Sequence, residues 1–82
     1  MTEKSEITNK EYIVEDCVFF RNIYQISKYI HWGALPVDIF TGSDGKLVFA
    51  FTKETHEKFR EKWLSCKKDA SWRTLEKYLK KI

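Results

Sequence analysis

Leu35-Pro36-Val37-Asp38-Ile39-Phe40-Thr41-Gly42-Ser43-Asp44-Gly45-Lys46-Leu47-Val48-Phe49-Ala50-Phe51-Thr52 is the stretch that decides the fold. Val37 and Ile39, with Leu35 before them, alternate with Pro36 and Asp38. Leu47, Phe49 and Phe51 alternate with Val48 and Ala50. Alternation at period two marks a strand with one buried face, because successive side chains leave opposite faces. Between the runs, Asp44-Gly45 supplies a residue pair suited to a tight turn, since glycine takes positive φ without a Cβ clash. The stretch therefore predicts a hairpin with Leu35, Val37, Ile39, Leu47, Phe49 and Phe51 facing a core.

Downstream, Thr52 is placed to cap a helix whose first turn carries Glu54 and Glu57. Phe59, Trp63 and Cys66 form its inward stripe, and Lys67 and Lys68 suit its negative C-terminal end. Asp69 or Ser71 caps a last helix with Trp72, Leu75, Leu79 and Ile82 on one face and Tyr78 beside them. Upstream, residues 1–10 read as a flexible arm, and Tyr12-Ile13-Val14 as a β-prone segment able to add a third strand. Asp16 is the expected cap of a helix from Cys17 to His31, because Phe19, Ile23, Ile26 and Ile30 fall at helical spacing. Gly33 supplies its stop and Pro36 forbids its continuation.

The order is β-α-β-β-α-α, which predicts an α+β, two-layer sandwich: a two- or three-stranded sheet covered by helices, in a single domain over 11–82. A strand, a helix and a second strand would be parallel if the strands were neighbours.

At 43% hydrophobic and 33% charged residues, the chain falls with folded globular domains and outside the disordered class. No apolar run approaches the roughly 20 residues that a membrane helix needs. The polar start Met1-Thr2-Glu3-Lys4-Ser5-Glu6 does not read as a secretory signal, so the expected compartment is the host-cell cytoplasm. Two cysteines outside any Cys-x-x-Cys pair read as free thiols. Net charge is +3, but residues 1–52 carry −2 and residues 53–82 carry +5. That asymmetry points to an acidic partner for the C-terminal part.

The chain resembles a family of small domains of unknown function found in phages, prophages and microbial genomes. The residues that carry the resemblance are Tyr12-Ile13-Val14-Glu15-Asp16, Gly33, Phe49-Ala50-Phe51, Trp63, Leu75, Leu79 and Lys80, across roughly residues 12–82. The resemblance implies a viral or mobile-element setting. It assigns no catalytic or binding residue.

Little in the sequence points to catalysis. Cys17, His31, His56 and Cys66 show no metal-site spacing. His56 and Cys66, ten residues apart on one predicted helix, would lie roughly 15 Å apart along its axis. Glu15-Asp16 reads as a helix cap, and Gly42-Ser43-Asp44-Gly45 lacks the ending of a P-loop. No enzyme, metal or cofactor is expected. The sequence predicts instead a binding protein that docks on a host or viral protein, with inhibition of a host system as one role. Trp32, beside Gly33, is the candidate aromatic anchor. The alternative is nucleic-acid binding through Lys62, Lys67, Lys68, Arg73, Lys77, Lys80 and Lys81 of the basic C-terminal helices, interrupted by Glu57, Glu61, Asp69 and Glu76.

Overall fold

The computed structural model describes residues 1–66 and 72–81. Among them are five strands, β1 (Thr2–Lys4), β2 (Glu11–Ile13), β3 (Cys17–Phe20), β4 (Asp38–Thr41) and β5 (Leu47–Thr52). Three α-helices follow in the same count, α1 (Ile23–His31), α2 (Lys53–Ser65) and α3 (Arg73–Leu79), with a single 3-10 turn at Val14–Asp16. None of these helices is long and apolar enough to cross a membrane.

The decisive hairpin forms as β4 and β5, antiparallel, with Ile39 opposite Phe49 and Thr41 opposite Leu47. Its turn closes through Gly42 N–H to the Lys46 carbonyl (2.8 Å) and Gly45 N–H to the Gly42 carbonyl (3.0 Å). Gly45 sits at φ 81°, the left-handed region that the Asp-Gly pair anticipates. The Asp44 carboxylate accepts from Lys46 N–H and from Arg21, which together hold its carboxyl below the usual range.

The main sheet has the order β3-β5-β4, so β5 is central and antiparallel to both neighbours. β3 and β4 thus run parallel to each other, joined by α1, with β5 inserted between them. This is a split β-α-β arrangement, and the two parallel strands are not neighbours. Val48, Phe49, Ala50 and Phe51 are all buried, as a central strand with both faces covered requires. Ile39, Phe49 and Phe51 pack with Ile26 and Tyr29 of α1, Ala34, Trp63 of α2 and Leu75 of α3. That cluster is the core.

Several expectations are corrected here. Cys17–Phe20 is a strand, not the first turns of a helix: β-branched and aromatic residues pair well on a pleated surface, and β5 offers them a free edge. α1 begins only at Ile23 and is capped by Asn22, whose side chain accepts from Tyr24 N–H and Gln25 N–H. Asp16 lies in the 3-10 turn and caps nothing in α1. The inward residues of α1 are Ile26, Ser27 and Tyr29 rather than Phe19 and Ile23, which are exposed. Its end is as expected. Gly33, at φ 95°, donates to Ile30, and Ala34 N–H donates to Tyr29, the paired bonds of a Schellman motif.

Tyr12-Ile13 does lie in a strand, but β2 pairs with β1 in a separate two-stranded sheet. Residues 1–10 are accordingly no flexible arm. The loop from Ser5 to Lys10 is tied by Ser5 N–H to Lys10 (2.8 Å) and Asn9 N–H to Ser5 (3.1 Å), and Ile7 packs against the core. Leu35 lies outside β4 and is 64% exposed, and Leu47 is exposed at the turn end of β5.

Thr52 caps α2, accepting from Thr55 N–H at 3.2 Å. Trp63 is buried and Phe59 packs against the core, whereas Cys66 is the C-cap residue. On α3, Leu75 is buried and Tyr78 and Leu79 pack on the core, but Trp72 is exposed. α3 is joined to α1 by a bond from Leu75 N–H to Ser27 Oγ (3.2 Å). The proposed caps Asp69 and Ser71, and Ile82, lie outside the described residues.

Candidate functional site

Side chains alternate along β4, so the residues flanking Ile39 face away from the helices. The outer face of the main sheet therefore carries Asp38 and Phe40 of β4 and Phe19 of β3. Asp38 is 3% exposed, although its place between two apolar residues suggests a solvent-facing carboxylate. A buried carboxylate is costly unless its oxygens are hydrogen-bonded. Here the β1–β2 hairpin meets that need. Oδ2 accepts from the Tyr12 hydroxyl at 2.7 Å, and Oδ1 accepts from Glu6 N–H and Ile39 N–H, both at 2.9 Å. Ser5 Oγ stands 3.4 Å from Oδ1 and itself accepts from Ile7 N–H and Thr8 N–H. One side chain of the main sheet thus clamps the N-terminal hairpin. The sequence held a signal for this, an aspartate inside an apolar strand, but no hint of the partner.

The clamp has a consequence in alkali. Burial, and then the Asp38 carboxylate, hold the Tyr12 phenol well above its ordinary value of 10.0. Folding raises this pKa, so its stabilisation is complete below 10.0 and is lost as pH climbs from there toward the folded value. Tyr12→Phe removes that titration while keeping the ring. Between about pH 9 and about pH 11, the urea midpoint of the wild type should fall more steeply than that of Tyr12→Phe. Parallel slopes would show that the phenol is not the titrating group. Tyr29 and Tyr78, also raised by burial, contribute equally to both proteins.

Beside the clamp the hairpin leaves the outer face open. A cleft of about 490 Å³ runs between it and the sheet, lined by Glu3, Glu6, Tyr12, Val14, Phe19 and Phe40 among others. Its floor is aromatic. The Phe19 and Phe40 rings meet edge to face at 68°, with centroids 6.0 Å apart, across the central strand. Phe19 is nevertheless 40% exposed.

The residues singled out in the sequence fall elsewhere. Trp32 is the C-cap residue of α1 and is half-buried. It packs against the core, with its ring 5.7 Å from Phe59 and 6.2 Å from Tyr29, and Lys62 Nζ lies 4.6 Å from its centroid. It also lines a second cleft, of about 360 Å³, with Leu35, Thr52, Thr55, Lys58 and Phe59 among others. Arg73, Lys77, Lys80 and Lys81 are exposed on or just after α3, and Lys80 pairs with Glu76 at 3.3 Å. Lys67 and Lys68 lie outside the described residues.

The four candidate metal or nucleophile residues do not converge. Among the described residues there is no group of three or more His, Cys, Asp or Glu able to hold a metal ion. Cys17 and Cys66 are both free, and burial pushes the Cys17 thiol up. His56 meets Tyr29 rather than a cysteine. Its Nδ1 is 2.9 Å from the Tyr29 hydroxyl, which also accepts from Gln25 Nε2 at 3.1 Å. With the Phe20 ring tilted at 55° to the imidazole, centroids 5.1 Å apart, this polar chain satisfies a buried phenol inside an aromatic cluster.

No protein-family model, curated protein or solved structure matches this chain. What the fold defines is a small α+β domain with one buried carboxylate clamp and one half-open sheet face.

Proposed function

We propose that the chain is a small, non-enzymatic protein-binding module of phage or mobile-element type, which docks on a host or viral protein and whose purpose includes inhibition of a host system. The observation that carries the binding reading is the aromatic floor of the cleft. Phe19 and Phe40 pack edge to face, and Phe19 keeps two-fifths of its surface in solvent. Exposed aromatics in a concave, polar-rimmed site are the usual anchors of protein interfaces. The phage-type setting rests on the sequence resemblance alone.

A second reading has its own observation. Arg73, Lys77, Lys80 and Lys81 recur at i, i+4, i+7 and i+8, the spacing of one helix face, with exposed Trp72 at its start. Cations in a row could neutralise phosphates while the indole stacks on a base. Glu76, bonded to Lys80, weakens that row.

One experiment separates the two. The tagged chain is used to capture partners from host lysate, with and without nuclease, alongside Phe19→Ser and the triple change of Lys77, Lys80 and Lys81 to Glu. The protein-binding reading expects nuclease-resistant capture that Phe19→Ser abolishes and the triple variant keeps. Capture that nuclease or the triple variant abolishes, with Phe19→Ser intact, puts nucleic acid first.

A further inference from the structure

We infer that the cleft beside the hairpin is a recognition site for a basic side chain, a lysine or arginine carried on an extended segment of the partner protein. This rests on the protein-binding reading and names what that cleft would take. Three features of the cleft agree on a cation.

The first is the aromatic corner. Phe19 and Phe40, inclined at 68°, present two ring surfaces to one space, and Tyr12 lines the same cleft. Ring faces carry the negative lobe of the aromatic quadrupole and attract ammonium and guanidinium groups, more strongly as water is excluded. The second is the charge of the rim. Glu3 and Glu6 line the cleft, and both are exposed, so a cation seated there gains carboxylate partners that are not already engaged by the Asp38 clamp. Met1 and Lys4 also line the cleft, but the Met1 ammonium is paired with Glu15. Glu3 lies directly opposite Tyr12 on β2, and Lys4 lies opposite Glu11. Adjacent positions of a strand project to opposite faces, so Glu3 shares the face of Tyr12, whereas Lys4 has the Glu11 carboxylate across from it.

The third is size and shape. About 490 Å³ is in the range of sites that enclose a small ligand or one long side chain. A lysine or arginine stem can lie along Val14 and the two rings while its head reaches the rim carboxylates, the amphipathic fit that such stems favour. An aliphatic side chain of equal length would fill the same space and leave Glu3 and Glu6 facing apolar surface. An acidic one would meet like charge. The acidic sign of residues 1–52, net −2, extends the preference beyond the cleft itself.

The test is an amide NMR titration of the full chain, labelled with nitrogen-15, with two peptides. One is acetyl-Gly-Val-Lys-Val-Gly-amide and the other replaces lysine with norleucine, which keeps the stem and removes the charge. The lysine peptide should shift the amides of Glu3, Val14, Phe19 and Phe40 and bind at least about tenfold more tightly than the norleucine peptide, the equivalent of about 1.4 kcal/mol. Glu3→Gln with Glu6→Gln, exposed positions that leave the fold intact, should remove that preference. Phe19→Leu, which keeps bulk but loses the ring, should weaken the lysine peptide several-fold and leave the norleucine peptide unchanged. Equal binding of the two peptides, or no shifts in the cleft, overturns the assignment. So does a concentration-dependent self-association that shifts the same amides, because a second copy's basic helix would then be the occupant. If the peptides tie while Phe19→Ser still abolishes capture from lysate, protein binding stands and the cation assignment alone falls.

Discussion

Phe51→Ala should destabilise the protein by about 3–5 kcal/mol, the usual cost of deleting a fully buried phenyl ring and leaving its cavity. Phe51 has no solvent exposure. Its ring meets Phe20 of β3 at 5.8 Å and Tyr29 of α1 at 5.6 Å, so the loss is felt by a strand and a helix together. Neither neighbour can collapse inward freely. Phe20 is held between Tyr29 and His56, and Tyr29 is fixed by its bonds to Gln25 and His56. A domain of 82 residues has a total stability of roughly 4–12 kcal/mol, so the variant should lose between about a quarter and all of it. With a urea dependence of about 1 kcal/mol per molar, the unfolding midpoint should drop by about 3 M or the chain should be unfolded outright. Leu35→Ala is the control. Leu35 belongs to the same alternating pattern but stands mostly in solvent, and its removal should stay within about 0.5 kcal/mol. Equal effects at the two positions would contradict the arrangement of the sheet.

Asp38→Ala should also be strongly destabilising, by about 2–5 kcal/mol, through a different cause, the loss of an acceptor shared by several donors. The variant leaves the buried Ile39 N–H and the part-buried Tyr12 hydroxyl and Glu6 N–H without their acceptor. Buried donors without partners lose their full desolvation free energy, about 1–3 kcal/mol each. The loss should also be local. The β1–β2 hairpin is tied to the main sheet by this carboxylate as well as by Ile7 on the core, so amide hydrogen exchange at Ser5 to Ile13 should accelerate before exchange in β5 does. Asp38→Asn keeps the shape and one good acceptor, and should recover more than half of the stability. A uniform rise in exchange across hairpin and β5 would mean that the hairpin is no separate unit.

If the hairpin does separate, the cleft goes with it. Glu3, Glu6, Tyr12 and Val14 come from the hairpin side, and Phe19 and Phe40 from the sheet. Asp38→Ala should therefore lose binding at the cleft even where the α-helical face remains folded. That links the clamp to the proposed function, because the carboxylate that holds the hairpin also lines the cleft.

The sequence by itself determined the central hairpin, its Asp-Gly turn, the Thr52 cap, the Gly33 stop and the α+β class. Each depends on neighbours a few residues away: alternation across a pleat, a glycine free to take positive φ, a hydroxyl three residues from a helical N–H. Such terms are local, so they survive the removal of everything else. It also placed Phe49, Phe51, Trp63 and Leu75 in the core, because a large apolar side chain on a periodic face has nowhere better to go. What it could not resolve was competition between two local readings. Cys17-Val18-Phe19-Phe20 is compatible with a helical stripe and with a strand, and the edge of β5, more than thirty residues ahead, decides for the strand. The same holds for residues 1–13. Their polar composition gives no local reason to order, and order comes from β1–β2 pairing, from Ile7 packed on the core and from the Asp38 carboxylate, which accepts from their donors. The cleft belongs to this second class. Glu3, Phe19 and Phe40 share no spacing in the chain, and only the pairing of two separate sheets brings carboxylates and rings to one space, because a concave surface is a property of elements packed together and of none of them alone.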